Sequence, residues 1–255
     1  MSVRLIVRTF SELCITIGAL IVLFVVYVLF WTGVKAAGAT EGQIDDLQRQ
    51  WASGTISAPA PAPSVSPSPK SPSSPDPKNP KNPKTQNPKT PTNPAPKAYR
   101  DGKPFAMLYI PRFGKGWDWP ILENTEVKTL QKGLGHYRGT ARPGATGNFA
   151  VAGHRRTYGD PFKDFPKLRP GDPVLVTDGT TWFTYRIDKK PYRTVPSDIG
   201  VIDPVPRKSG FDGPGRYLTL TTCDPEWGSS HRLIAWAHLD ATQPVTDGRP
   251  AAFHS

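Results

Sequence analysis

The chain has 255 residues, 37% of them hydrophobic, with 30 prolines and a formal net charge of +11. The charge is shared among three stretches of different composition, so it does not mark a nucleic-acid surface. Of the two cysteines, Cys14 lies in an apolar run and Cys223 stands alone outside it, which excludes an internal disulfide.

Leu13 to Trp31 is almost purely apolar, broken only by Thr16 and Gly18. At about 1.5 Å per residue it spans roughly 28 Å, the thickness of a bilayer's hydrocarbon. The run is longer than the apolar region of a signal peptide, about 7–15 residues, so a retained membrane helix over 13–31 is expected. The competing reading, cleavage, would use Ala36-Ala37-Gly38-Ala39. Arg4 and Arg8 precede the helix and only Lys35 follows it closely, which predicts a cytoplasmic tail (1–12) and everything after Trp31 outside the cell. Cys14 then sits at the cytoplasmic edge as a small apolar filler. The protein is thus expected in the cell membrane as a single-pass chain.

Residues 32–98 read as an extracellular linker. Within it, Ile44, Leu47 and Trp51 recur at helical spacing, which suits a short amphipathic helix against the membrane face. From Ser57 to Ala98 nearly every third residue is proline, and Lys78-Asn79-Pro80 and Lys81-Asn82-Pro83 begin an irregular repeat. Val65 is the only large aliphatic residue there, so burial cannot offset chain entropy and disorder is expected. Fully extended, such a spacer reaches on the order of 100 Å. Its lysines suit either a polyanionic surface or plain solubility.

Residues 99–255 suffice for one domain with a real core. Short apolar runs separated by Gly, Pro and Asp predict strands at 105–110, 119–122, 148–154, 173–177, 181–192, 217–223 and 233–239. Short helices fit near 126–132 and 162–168. So many short strands with no long helical period argue for a mostly β domain, a closed or nearly closed barrel.

A lone extracellular thiol is either an inert core residue or a reagent. Here it ends the strand Tyr217-Leu218-Thr219-Leu220-Thr221-Thr222-Cys223. The strand Asn148-Phe149-Ala150-Val151-Ala152 runs into Gly153-His154, which puts His154 at a strand terminus where an acid/base can meet substrate. Arg232 opens the strand after a polar turn; if the two strands are antiparallel neighbours, Cys223 and Arg232 face each other across the hairpin mouth. A cation there can stabilise an oxyanion. His231 should point to the other face from Arg232, and Asp224 away from the thiol. Arg155 and Arg156 are expected at the surface or rim.

Together Thr219-Leu220-Thr221-Thr222-Cys223, Ala152-Gly153-His154-Arg155 and Arg232 resemble the active-site signature of the sortases, cysteine transpeptidases of Gram-positive walls. Leu108-Tyr109-Ile110-Pro111-Arg112 and the run from Gly135-His136-Tyr137 to Gly147-Asn148 extend the resemblance over roughly 105–239. The anchor, the Pro-rich spacer and Thr-Thr-Cys-x-Pro are most similar to class E. The resemblance implies an eight-stranded barrel in which Cys223 cleaves a Leu-Ala-x-Thr-Gly or Leu-Pro-x-Thr-Gly sorting signal between Thr and Gly. An amine of lipid II or peptidoglycan then resolves the acyl-enzyme. By position, His154 is the acid/base and Arg232 holds substrate and oxyanion, while Tyr109, Thr222 and His136 are candidate substrate contacts and residues 195–215 the specificity loop. The resemblance implies surface proteins with a C-terminal sorting signal as partners, no cofactor and no nucleic acid. The tight carboxylate cluster of calcium-binding class A members is missing around Asp160, Asp164, Asp172 and Asp198, so no metal is expected. Asp118-Trp119-Pro120 follows the first strand instead of preceding it as a class C lid would. Two alternatives stand beside this reading: an L,D-transpeptidase, whose His-Gly-Cys-Arg cluster is missing, and a non-catalytic wall-binding domain using the seven Trp residues.

Overall fold

The computed structural model describes residues 3–54 and 98–254; the Pro-rich stretch expected as a disordered linker lies outside the described residues. Helix α1 runs from Val3 to Ala52. Its segment Val7–Tyr27 is apolar, exposed and long enough to cross a membrane. It overlaps the 13–31 read from sequence, and Arg8 and Glu12 near its start pair with each other at 3.0 Å along the helix.

The helix does not stop at the membrane segment, and 32–52, read from sequence as the start of a linker, continue it. Thr40, Ile44, Leu47 and Trp51 form one stripe, as expected for an amphipathic helix. That stripe faces protein and not the membrane, however: Leu47 is fully buried, and α1 packs against strands β1 (Pro104–Tyr109) and β2 (Asp118–Glu123). Helix and barrel belong to one compact unit.

The remaining strands are β3 (Leu134–His136), β4 (Gly147–Ala152), β5 (Pro173–Thr177), β6 (Thr181–Ile187), β7 (Tyr192–Thr194), β8 (Arg216–Asp224) and β9 (His231–Pro244). The sheet order is β6-β5-β1-β2-β3-β4-β8-β9, and β6 pairs back onto β9, which closes an eight-stranded barrel with β7 as a ninth strand on β9. The 14-residue β9 serves β8 on one side and, on the other, β7 at Arg232–Ile234 and then β6 from Ala237 onward.

Two strands differ from the sequence reading for local reasons. The run 181–192 is broken at Asp188–Pro191, where proline has no N–H to give to a ladder, so it becomes β6 and β7. Strand β3 was not expected, because three residues flanked and interrupted by glycine carry no period. Those glycines are required: a Cβ on Gly133 would lie 2.7 Å from the Pro120 carbonyl oxygen, and one on Gly135 would lie 2.5 Å from that of Asn124. The helix expected at 162–168 is a single 3-10 turn, Phe165–Lys167, and that near 126–132 is α2 (Val127–Leu130).

Alternating inward residues of β4 and β8, among them Phe149, Val151, Leu218 and Leu220, fill the barrel, and Phe162 and Phe165 plug it from the segment after β4. Strands β4 and β8 are parallel and β8 and β9 antiparallel. Followed around the sheet, the pairings put the C-terminal ends of β4 and β8 and the start of β9 at one end of the barrel, and the β5–β6 turn at the other.

Candidate active site

The thiol, the imidazole and the guanidinium singled out above come together at the end of the barrel where β4 and β8 finish. In the antiparallel β8–β9 pair, Cys223 is the register partner of Arg232, so their side chains leave the same face. In the parallel β4–β8 pair, Ala152 registers with Thr221. Gly153 continues that pairing, its N–H donating to the Thr221 carbonyl at 3.1 Å, which sets His154 beside Cys223 one step further on. His154 thus lies two residues past the strand's last residue, where the sequence reading had ended the strand.

Three threonine hydroxyls fasten the nucleophile's strand. Thr222 Oγ1 donates to the Gly153 carbonyl at 2.8 Å, Thr219 Oγ1 donates to Asn148 Oδ1 at 2.9 Å, and Thr221 Oγ1 pairs with the Tyr137 hydroxyl at 2.9 Å. Thr222, expected as a substrate contact, is buried and holds the peptide that carries His154. Gly153 has no room for a side chain: a Cβ would meet Phe162 at 2.6 Å and Leu134 at 2.7 Å. From below, the Phe162 N–H donates to the His154 carbonyl at 3.0 Å.

The His154 ring packs beside Tyr158, and its Nε2 is buried with no hydrogen-bond partner among the described residues. Burial pushes its pKa below the usual imidazole value, only partly opposed by Asp160. A buried polar nitrogen without a partner is uncommon in a folded protein and marks this imidazole as a candidate for binding or proton transfer. The Arg232 guanidinium is steadied by Nη1, which donates to the Ser229 and His231 carbonyls at 2.8 and 2.9 Å.

The opposite face of the same strand ends carries a charge network that sequence reasoning missed. Asp224 accepts from Arg155 Nη1 at 2.5 Å and from Arg193 Nε at 2.7 Å, and Arg193 also reaches His231 Nδ1 at 3.1 Å. Partial burial alone would raise the Asp224 pKa, but the hydrogen bonds from Arg193 and Arg155 outweigh it and hold the carboxyl below its usual value. Arg155 is buried at this pair, which corrects the expected surface position; it is drawn in because Asp224 supplies the counter-charge. Arg156 is half-buried, paired with Asp160 and Glu226 and stacked on Trp227. The missed signal was an offset: Arg155 follows His154 as Asp224 follows Cys223, so parallel strands bring both pairs level.

Two further candidates sit elsewhere. His136 is buried, with Nδ1 2.6 Å from Glu123 Oε2 and Nε2 within reach of Thr140 Oγ1 and the Ala141 carbonyl, so both ring nitrogens are engaged. Tyr109 packs against Trp182 and Phe253 on β1, four strands from β8 in sheet order, and burial pushes its hydroxyl up to about 12. Neither is brought to Cys223. The segment 195–215 is tied down by Asp198, which accepts from Thr194 and Lys208, and by the Val201 carbonyl, which accepts from Trp236 Nε1 at 3.1 Å, while Ile199 stays 77% exposed.

Comparison with known proteins follows the same residues. The sortase domain family matches residues 108–240. Sortase SrtE1 of Streptomyces coelicolor is 37% identical over 255 residues, 97% of this chain and 61% of that relative's length. Sortase E from Streptomyces avermitilis is 69% identical over 61% of this chain and 99% of the solved chain, with a TM-score of 0.58. Sortase E1 from Streptomyces coelicolor, solved with a tripeptide in the active site, is 42% identical over the same shares, with a TM-score of 0.56.

Proposed function

Because this chain belongs to the sortase family, we propose that it is a membrane-anchored cysteine transpeptidase that cleaves a sorting signal of Leu-Ala-x-Thr-Gly or Leu-Pro-x-Thr-Gly type between Thr and Gly. The observation that carries this reading is the register itself, Cys223 level with Arg232 on β9 and beside the Gly153-His154 end of β4. Neutral His154 takes the Cys223 thiol proton as the sulfur attacks the threonine carbonyl carbon, and the C–N bond to glycine breaks as the imidazolium so formed gives that proton to the departing nitrogen. The product is a thioester on Cys223. An acceptor amine then attacks that thioester, neutral His154 takes the amine's proton, and the thiolate leaves. In both steps Arg232 faces the negative charge growing on the carbonyl oxygen, with Nε and Nη2 as donors.

The acceptor in this reading is an amine of lipid II or peptidoglycan, which accords with an anchor helix and a barrel outside the cell. The tripeptide in the active site of the Streptomyces coelicolor relative supports an extended peptide as substrate here. Exposed Ile199 offers apolar surface for the signal's leucine.

The test uses the full chain in detergent with Leu-Ala-x-Thr-Gly and Leu-Pro-x-Thr-Gly peptides and an amine acceptor, read by mass. Cleavage after Thr, with an acyl mass added to Cys223 and both lost in Cys223→Ala, is the expected result. A folded chain that cuts neither peptide and carries no adduct would overturn the proposal.

A further inference from the structure

The C-terminal part of α1 is bound to the barrel by contacts that a passing linker would not make. Leu47 is fully buried, Thr40 nearly so, and the Trp51 indole lies against Gly179 in the β5–β6 turn, where a Cβ would collide with the ring. Gly179 has φ +91, so the turn needs glycine for its backbone as well as for this approach. Met107 on β1 and Leu122 on β2 lie outside the barrel's core cluster and are still buried, on the strands against which α1 packs. Charged Asp46 and Arg49 pair with each other on the helix's other side.

On the far side of the Pro-rich stretch the unit resumes at Tyr99, whose ring stacks on Phe105 at 3.8 Å with the Arg142 guanidinium 4.4 Å from its centroid. The described residues on both flanks, up to Gly54 and from Tyr99 on, belong to the same compact unit, so the distance of the barrel from the anchor is set by α1.

We propose that residues 37–52 of α1 are the mount that holds the catalytic barrel near the bilayer. The inference rests on the reading of Val7–Tyr27 as a membrane anchor. From Tyr27 to Leu47 the helix rises about 30 Å, against the order of 100 Å that an extended spacer would allow. Because Trp51 meets the end of the barrel opposite Cys223, the last turn of the docked helix leaves the catalytic end open. The barrel would then work at the depth of a lipid-linked acceptor, not far out in the wall.

The experiment places a site-specific protease sequence after Ser74 in the full chain, reconstituted in phosphatidylcholine vesicles and washed at high salt. After cutting, the barrel fragment should sediment with the vesicles. In a Leu47→Asp, Trp51→Ala variant most of it should move to the supernatant, still cleaving sorting peptide. Leu47→Ala should give partial release, which keeps the test decisive if the double variant misfolds. Release of the wild-type fragment as complete as the variant's would overturn the mount, and so would retention of the variant equal to wild type. Uncut protein in the supernatant would instead overturn the membrane anchor on which the proposal stands.

Discussion

At the scale of single residues, the proposed thiol–imidazole pair is held by groups with no part in the proposed chemistry. Asp224 joins the residue after His154 to the residue after Cys223, and Arg193 brings β7 into the same contact. Asp224→Asn keeps the shape and removes the charge. It should cost about 1–3 kcal/mol of stability, the penalty of leaving the buried Arg155 guanidinium under-satisfied. It should also lower kcat more than it raises KM, since it loosens the thiol–imidazole geometry and not the peptide groove; equal stability and kcat in thermal unfolding and steady-state kinetics would contradict this. His154 makes a second prediction. Its folded pKa lies below the unfolded value of about 6.5, so above that pH neither state is protonated and its neutral burial is fully tolerated. As pH falls below about 6.5 the unfolded state takes up the proton first and stability is lost until the folded pKa is passed. His154→Asn should flatten that part of the stability–pH curve. The shared location of Cys223, His154 and Arg232 was legible in the sequence because a thiol, an imidazole and a cation stand at predicted strand ends. The buried positions of Arg155 and His136 were not, because burial of a charged or imidazole group depends on a partner distant in sequence, Asp224 for one and Glu123 for the other.

Elements carry the next level of constraint. The end of β4 must turn under the nucleophile's strand with no side chain at Gly153, since Phe162 and Leu134 already fill the space. Gly153→Ala should therefore cost about 1–3 kcal/mol by overpacking and depress turnover further by displacing His154. The measurement is denaturant unfolding together with the kcat of whatever fraction folds. Periodicity found β1, β5 and β8 to within one residue, and only the middle of β9, which runs from His231 to Pro244 and not 233–239. It missed β3, whose place comes from parallel pairing with β2 and antiparallel pairing with β4, and it joined β6 to β7 because the break lies in a short polar turn between two similar apolar runs. Strand identity is a local property of alternation, whereas a three-residue strand exists only because its neighbours leave room for one.

For the whole molecule, the question is what the barrel is attached to. A fully buried leucine on a helix outside the barrel's ring of strands implies that the helix contributes to the fold's stability. Leu47→Ala should lower the unfolding midpoint of the full chain by the equivalent of about 2–5 kcal/mol; an unchanged midpoint would mean that the helix and barrel do not unfold together. The sequence by itself determined the membrane-length apolar run, the β class of the domain and the candidate residues of the proposed reaction, because each is written in local composition, alternation or residue type. Only the tertiary structure decided that Cys223 and Arg232 share a register, that Arg155 closes on Asp224, and that the stripe of α1 faces β1 and β2 and not lipid. An amphipathic face carries no record of which apolar surface will cover it. That choice depends on Met107, Leu122 and the bare turn at Gly179, far along the chain, which meet the helix only when the barrel has closed.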